Sequence, residues 1–143
     1  MNRSQYFCLA LILILSACQK YKVNVVSEKL SKFNLASTFV GSPDPRQFDP
    51  PKGERLVVKW QIPRSLELTD IKLKLDVIYN DLTSHTLTSN IKSCRDSFMY
   101  ELTKEAYLSK KGLLSYKASI VTSSGEILYD WSHFLYTDII KAE

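Results

Sequence analysis

Glycine is scarce in this sequence: four residues in 143, none at the spacing of a phosphate-cradling loop. Chemistry that depends on such a loop is excluded. Histidine is scarcer still. His85 and His133 stand alone, with no partner at a metal-binding interval such as i, i+4 on a helix. No metal and no cofactor is expected. Ser132, His133 and Asp130 form a nucleophilic set on paper only. A base must stand within ~2.6–3.2 Å of its nucleophile, and adjacent strand residues point to opposite faces. Glu101 and Glu105 have the residue type of paired glycosidase carboxylates, yet they flank a Lys-bearing crossover and read as a solvated face. No catalytic residue is assigned, and an enzyme is not expected. Charge of one sign is lacking too: Lys+Arg 19 against Asp+Glu 15 gives +4, to which Arg3 contributes one. That balance suits a position near anionic headgroups. It is far from the concentrated basic patch of a nucleic-acid binder, so no nucleic-acid partner is expected, and no small-molecule substrate. The leading apolar run, Tyr6 to Leu15, falls short of the ~20 residues a membrane-spanning helix needs.

What is present begins with that run. Arg3 precedes it, and Leu15-Ser16-Ala17-Cys18 closes it. Positive start, apolar middle and small residues at the cut are the order of an export signal. A conventional signal peptide or a retained anchor would share that order, but neither calls for a cysteine directly after the small residues. Leu15 to Cys18 resembles a bacterial lipobox. The resemblance implies that Met1 to Ala17 are removed and that Cys18 is acylated and becomes the new N-terminus. Gln19 stands where an Asp would imply retention at the inner membrane of enteric bacteria, so the outer membrane is favoured, periplasmic or surface face open. One acyl chain binds marginally, at ~0.8 kcal/mol per buried methylene. Lipoproteins of the resembling class carry two or three chains, which makes attachment effectively permanent. With Cys18 acylated and Cys8 removed, Cys94 is left alone and an intramolecular disulfide is ruled out. Cys94 reads as a small buried hydrophobe, or else as an exposed thiol that pairs with a partner protein.

Residues 18–53 read as a lipid-anchored tether. Val23, Val25 and Val26 are too few to specify an element. Ser27 to Phe39 suits a short helix, or a tether that docks a few side chains on the body. From Gly41 to Gly53 the chain holds four of its five prolines, Pro43, Pro45, Pro50 and Pro51. Proline lacks an amide donor and restricts its predecessor, so polyproline II or a string of turns is expected. The segment is a semi-rigid spacer or a recognition arm. In the second case Arg46 and Phe48 are the candidate partner-binding residues, since Arg and aromatic side chains are enriched in interface hot spots.

From Glu54 the pattern has period two, the signal of strands. Leu56, Val58, Trp60 and Ile62 share one face until Pro63 ends the ladder. Ile71, Leu73, Leu75, Val77 and Tyr79 alternate with Lys72, Lys74 and Asp76, and Asn80-Asp81 turns the chain. Thr83 to Ile91 is β-prone and hydroxyl-rich, as an edge strand should be. Phe98, Tyr100 and Leu102 share a face, and Lys104 to Lys111 looks like one helical turn stopped by Gly112. Leu114, Tyr116, Ala118 and Ile120 lead through the turn Thr122-Ser123-Ser124-Gly125 into Ile127 to Tyr136, and Asp138 to Ile140 trails off.

Short strands, turns between them and no long amphipathic helix predict an all-β antiparallel sandwich over residues 54–143. A small β-barrel would show the same alternation. The details resemble an immunoglobulin or fibronectin type III domain. Trp60 would be its core tryptophan, and Gly112 to Ala118 its tyrosine-corner stretch. Tyr116 would then bond upstream backbone through its hydroxyl. The absence of paired cysteines favours the disulfide-free type. The phrase Thr38 to Pro45, with Gly53-Glu54-Arg55-Leu56, also resembles uncharacterised lipoproteins of chlamydia-like bacteria and implies no known activity. The expectation is a membrane-anchored envelope lipoprotein, a non-catalytic module binding an envelope protein or envelope component. A pilot or assembly factor for a secretion or outer-membrane complex, adding a strand at Thr83 to Ile91, is the alternative.

Overall fold

The computed structural model describes residues 23–64 and 68–136, without the side chain of Thr69. Leu15 to Gln19, and with them Cys18, where acylation is expected, lie outside the described residues, as does Asp138 to Ile140.

Period-two alternation becomes seven antiparallel strands. β1 (Val23–Leu30), β2 (Gly53–Gln61) and β5 (Arg95–Thr103) form one sheet in the order β1-β2-β5. β3 (Ile71–Tyr79), β4 (Ser84–Asn90), β6 (Leu113–Thr122) and β7 (Ile127–Ser132) form the other in the order β4-β3-β6-β7. The core is made by inward side chains of both sheets: Leu56, Val58 and Trp60 against Leu73, Leu75, Val77, Ala118 and Ile120. Burial of one such aliphatic side chain contributes ~1.5–3 kcal/mol, which is why the alternating face cannot be left wet. The immunoglobulin constant arrangement pairs the fourth strand with the fifth. Here β4 pairs with β3 instead. Its hydroxyl-rich sequence lies at a sheet edge, as expected.

The sandwich starts earlier than residue 54. β1 pairs along its whole length with β2, from Val23 opposite Trp60 to Leu30 opposite Gly53. Val23, Val25 and Leu30 are buried. The tether expected over residues 18–53 is therefore corrected from Val23 onward. Ser27, Glu28 and Lys29 interrupt the local alternation, and it is the neighbouring strand that completes it. Among the described residues, the strands of both sheets and the buried core lie between Val23 and Ser132, so residues 19–143 carry every described strand and core side chain.

Two short helices sit in the connections. α1 (Ala36–Val40) lies between β1 and β2, and α2 (Lys104–Lys110) between β5 and β6. Lys111 in left-handed conformation and Gly112 end α2. β7 is shorter than expected: it stops at Ser132, and the turn that follows returns the His133 amide to the Tyr116 carbonyl at 2.9 Å. Tyr116 is buried as the resemblance implied, but no tyrosine-corner bond is among the hydrogen bonds of the described residues. Its ring stacks on Trp131 instead, at 5.7 Å between centroids. Trp60 is a core residue whose indole Nε1 donates to the Ser93 carbonyl at 2.9 Å.

The sandwich has two poles. β1 begins, β2 ends and β5 begins at the near pole; β1 ends, β2 begins and β5 ends at the far pole.

Candidate binding site at the far pole

The β1–β2 connection leaves from Leu30 and returns at Gly53, so all of it is carried at the far pole. Its first turn is fixed by Ser31, whose hydroxyl accepts from the Phe33 amide, while the Asn34 carboxamide accepts from the Ser31 amide at 2.7 Å. That reciprocal pair is a capping box with Asn in the acceptor position. The Thr38 hydroxyl donates to the Lys32 carbonyl at 2.5 Å, and α1 follows directly. Beyond Gly41 the prolines behave as their chemistry requires. Asp44 accepts from the Arg46 amide at 2.9 Å and starts a single 3-10 turn with Pro45 at its first position, where a missing amide costs nothing.

Asp44 is the knot of this connection. It accepts from the Ser37 hydroxyl of α1 at 3.0 Å and from both Nε and Nη2 of Arg46, the latter at 2.9 Å. The Arg46 guanidinium, with the Arg46 amide second, holds the Asp44 carboxyl at about 2, against an ordinary 3.8. Twenty or so residues without a sheet of their own are thereby stitched into a compact loop.

Phe48 is 93 % exposed and Phe39 76 %. Val40 and Phe33 are exposed on the same connection. Of the apolar residues of Ser27 to Phe39 expected to dock on the body, Leu30 and Leu35 are buried and the two phenylalanines are not. Beside them a groove of about 800 Å³ runs between the connection and α2, with Leu30, Leu35 and Pro51 on one side and Tyr107 and Leu108 on the other. Arg46 lines it. Phe48 is not among the residues that line it, so the two sequence-assigned residues share the connection and differ in freedom: Phe48 is unencumbered, whereas Arg46 is already committed to Asp44. Phe33, Phe39 and Val40 were not assigned with them. Their signal was present only as apolar residues outside any alternation.

The residues considered for chemistry are kept apart. His85 lies on β4 and His133 just beyond β7, the two opposite edges of the four-stranded sheet. His85 is exposed, but His133 is half-buried, 5.0 Å from the Tyr116 ring, rather than a solvent-facing strand residue. Asp130 pairs with Lys117 at 3.5 Å and Glu101 with Arg55 at 2.7 Å. Cys94 is half-buried against the core, with its thiol free. Among the described residues no three His, Cys, Asp or Glu side chains are grouped to hold a metal. No described helix is long and apolar enough to cross a membrane.

No family model, curated protein or solved structure matches this chain.

Proposed function

We propose that this chain is a lipid-anchored lipoprotein of the bacterial cell envelope, outer membrane favoured, whose sandwich is a non-catalytic module for an envelope partner. The reading is carried by the opposition of two poles along β1. Cys18 precedes Val23 by five positions, a reach of at most roughly 18 Å. From Val23 the strand runs 8 residues, roughly 24 Å at the rise of a strand. It ends where the connection bearing Phe48 departs. An acyl anchor on Cys18 holds the near pole at the bilayer and turns the far pole away from it, towards a partner. An exposed group of large apolar side chains on a monomeric surface is the usual mark of such a contact.

The test has two arms. In the full chain in cells, Cys18→Ala is expected to abolish fatty-acid labelling and release the protein from the membrane fraction. Unchanged membrane attachment removes the anchor. A photo-reactive side chain at position 48 is expected to give a discrete protein adduct, and one at Ser124 on the near pole to give none. Identical products from both positions remove the far-pole site.

A second reading, pilot or assembly factor, is favoured by β4, which is bonded on one side only and offers its free edge for strand addition. Gene deletion that mislocalises a secretion channel separates it from the first.

A further inference from the structure

We propose that the near pole binds the phosphate of an anionic phospholipid headgroup in a groove between the ends of β2 and β5. The proposal rests on the reading that places this pole at a bilayer. The groove, about 650 Å³, is lined by Gln61, Arg64, Lys92, Ser93 and Arg95 among others. Among the described residues that line it, three are cations and none is an acid, and Glu67, between Arg64 and Leu68 in sequence, lies outside the described residues. Elsewhere Arg46, Arg55, Lys74, Lys110 and Lys117 are each within an ion pair, while Lys29, Lys52 and Lys111 at the far pole have none among the described residues. Arg64, Lys92 and Arg95 have no carboxylate partner among the described residues. Cations that cluster without neutralisation repel one another, and an anion resting between them relieves that repulsion.

The turn that carries Lys92 and Arg95 is tied to β2 by hydrogen bonds. The Trp60 indole donates to the Ser93 carbonyl at 2.9 Å, and the Ile62 amide to the Cys94 carbonyl at 2.8 Å. The Ser93 hydroxyl donates to the Arg95 carbonyl at 3.1 Å, closing a tight turn at the groove wall. Two guanidinium groups supply planar forks that match phosphate oxygens, and the ammonium adds a point charge. Location adds the occupant. Val23 pairs with Trp60, adjacent to Gln61, so the chain runs towards Cys18 from beside the groove, and Lys20 and Lys22 stand just ahead of it in sequence. With the bilayer within a few Debye lengths, ~8 Å each at physiological salt, phospholipid is the phosphate this groove meets.

The experiment uses residues 19–143, which lack the acylated cysteine, so headgroup binding is read separately from acylation. Vesicles of phosphatidylcholine alone are compared with vesicles that also contain phosphatidylglycerol. Co-sedimentation is expected with the mixed vesicles only and weakens as salt rises. R64Q/K92Q/R95Q is expected to lose about a hundredfold in affinity, roughly fivefold for each cation near the surface. K29Q/K52Q/K111Q, which removes equal charge from the far pole, is expected to retain most of it. Equal loss in both triple variants, or equal binding to both vesicle types, overturns the proposal. Displacement of the vesicles by inorganic phosphate at matched phosphate concentration overturns it in favour of a free-phosphate site. The three positions are exposed, and a thermal melt coincident with wild type identifies lost binding as lost contact.

Discussion

Tyr79 and Tyr100 meet hydroxyl to hydroxyl at 2.7 Å across the interior of the sandwich. Tyr79 belongs to the four-stranded sheet and Tyr100 to the three-stranded one, so the bond joins the two layers at the far pole. Tyr79 is 4 % exposed, and the Lys110 ammonium stands 5.3 Å from its ring centre. Tyr100→Phe leaves the Tyr79 hydroxyl buried and unpaired, at an expected cost of ~1–3 kcal/mol. Y79F/Y100F removes both polar groups and is expected to cost less than the single change. Urea denaturation of the three proteins reads this directly, and a double variant that is the weakest of the set contradicts it.

Acid should loosen the far-pole connection before it unfolds the sandwich. The Asp44 carboxyl is lowered to about 2, first by the Arg46 guanidinium, then by the Arg46 amide. A depressed acid contributes stability above its ordinary 3.8 that is lost as pH falls through about 2. A carbon-detected carboxyl titration is expected to give Asp44 a midpoint near that lower value. Arg46→Ala is expected to move the midpoint up towards the ordinary one. A wild-type midpoint already there would mean that Arg46 is free, and free to contact a partner.

Gly53 cannot be replaced where Gly41 can. A Cβ at Gly53 would stand 2.3 Å from the Leu102 carbonyl oxygen, a backbone atom of the paired strand β5, at a φ of +156°. One of the two must shift, and the ladder that starts both β1–β2 and β2–β5 pairing opens with it. Gly53→Ala is expected to lose at least ~2 kcal/mol of stability. Gly41→Ala meets nothing within 4 Å and carries only the strain of its φ of +65°, about 1 kcal/mol. Comparable melting points for the two variants would show that β5 yields at no cost.

Strands buried on one face were legible because alternation is a local property. Leu56 to Ile62 and Ile71 to Tyr79 announce their inward faces without help from the rest of the chain. β1 was not legible, since three polar residues interrupt it and its partner lies some distance on in sequence. The far-pole surface was half legible. Proline made the segment from Gly41 conspicuous and put Arg46 and Phe48 in view. The Asp44 knot joins α1 to the turn seven positions from Ser37, and no periodicity encodes such a bond. The near-pole groove was invisible for a stronger reason. Arg64 and Lys92 come from two connections and Arg95 from the start of β5, and only the β2–β5 register brings them together.

β6 is the strand whose pattern misleads most, and it supplies a further test. Ser115 alternates with Leu114 and Tyr116 and so falls on the polar face of the pattern, yet it is 0 % exposed. β6 lies between β3 and β7 and is, with β3, one of the two interior strands of its sheet. Its hydroxyl oxygen is buried without a hydrogen-bond partner among the described residues. A hydroxyl stripped of water and left unpaired costs ~1–3 kcal/mol, whereas a methyl of similar size does not. Ser115→Ala is therefore expected to raise the stability of the sandwich by about 1 kcal/mol, measured as a higher urea midpoint at unchanged slope. A loss of stability of that size would show that the hydroxyl is satisfied after all, by an ordered water held inside the sheet.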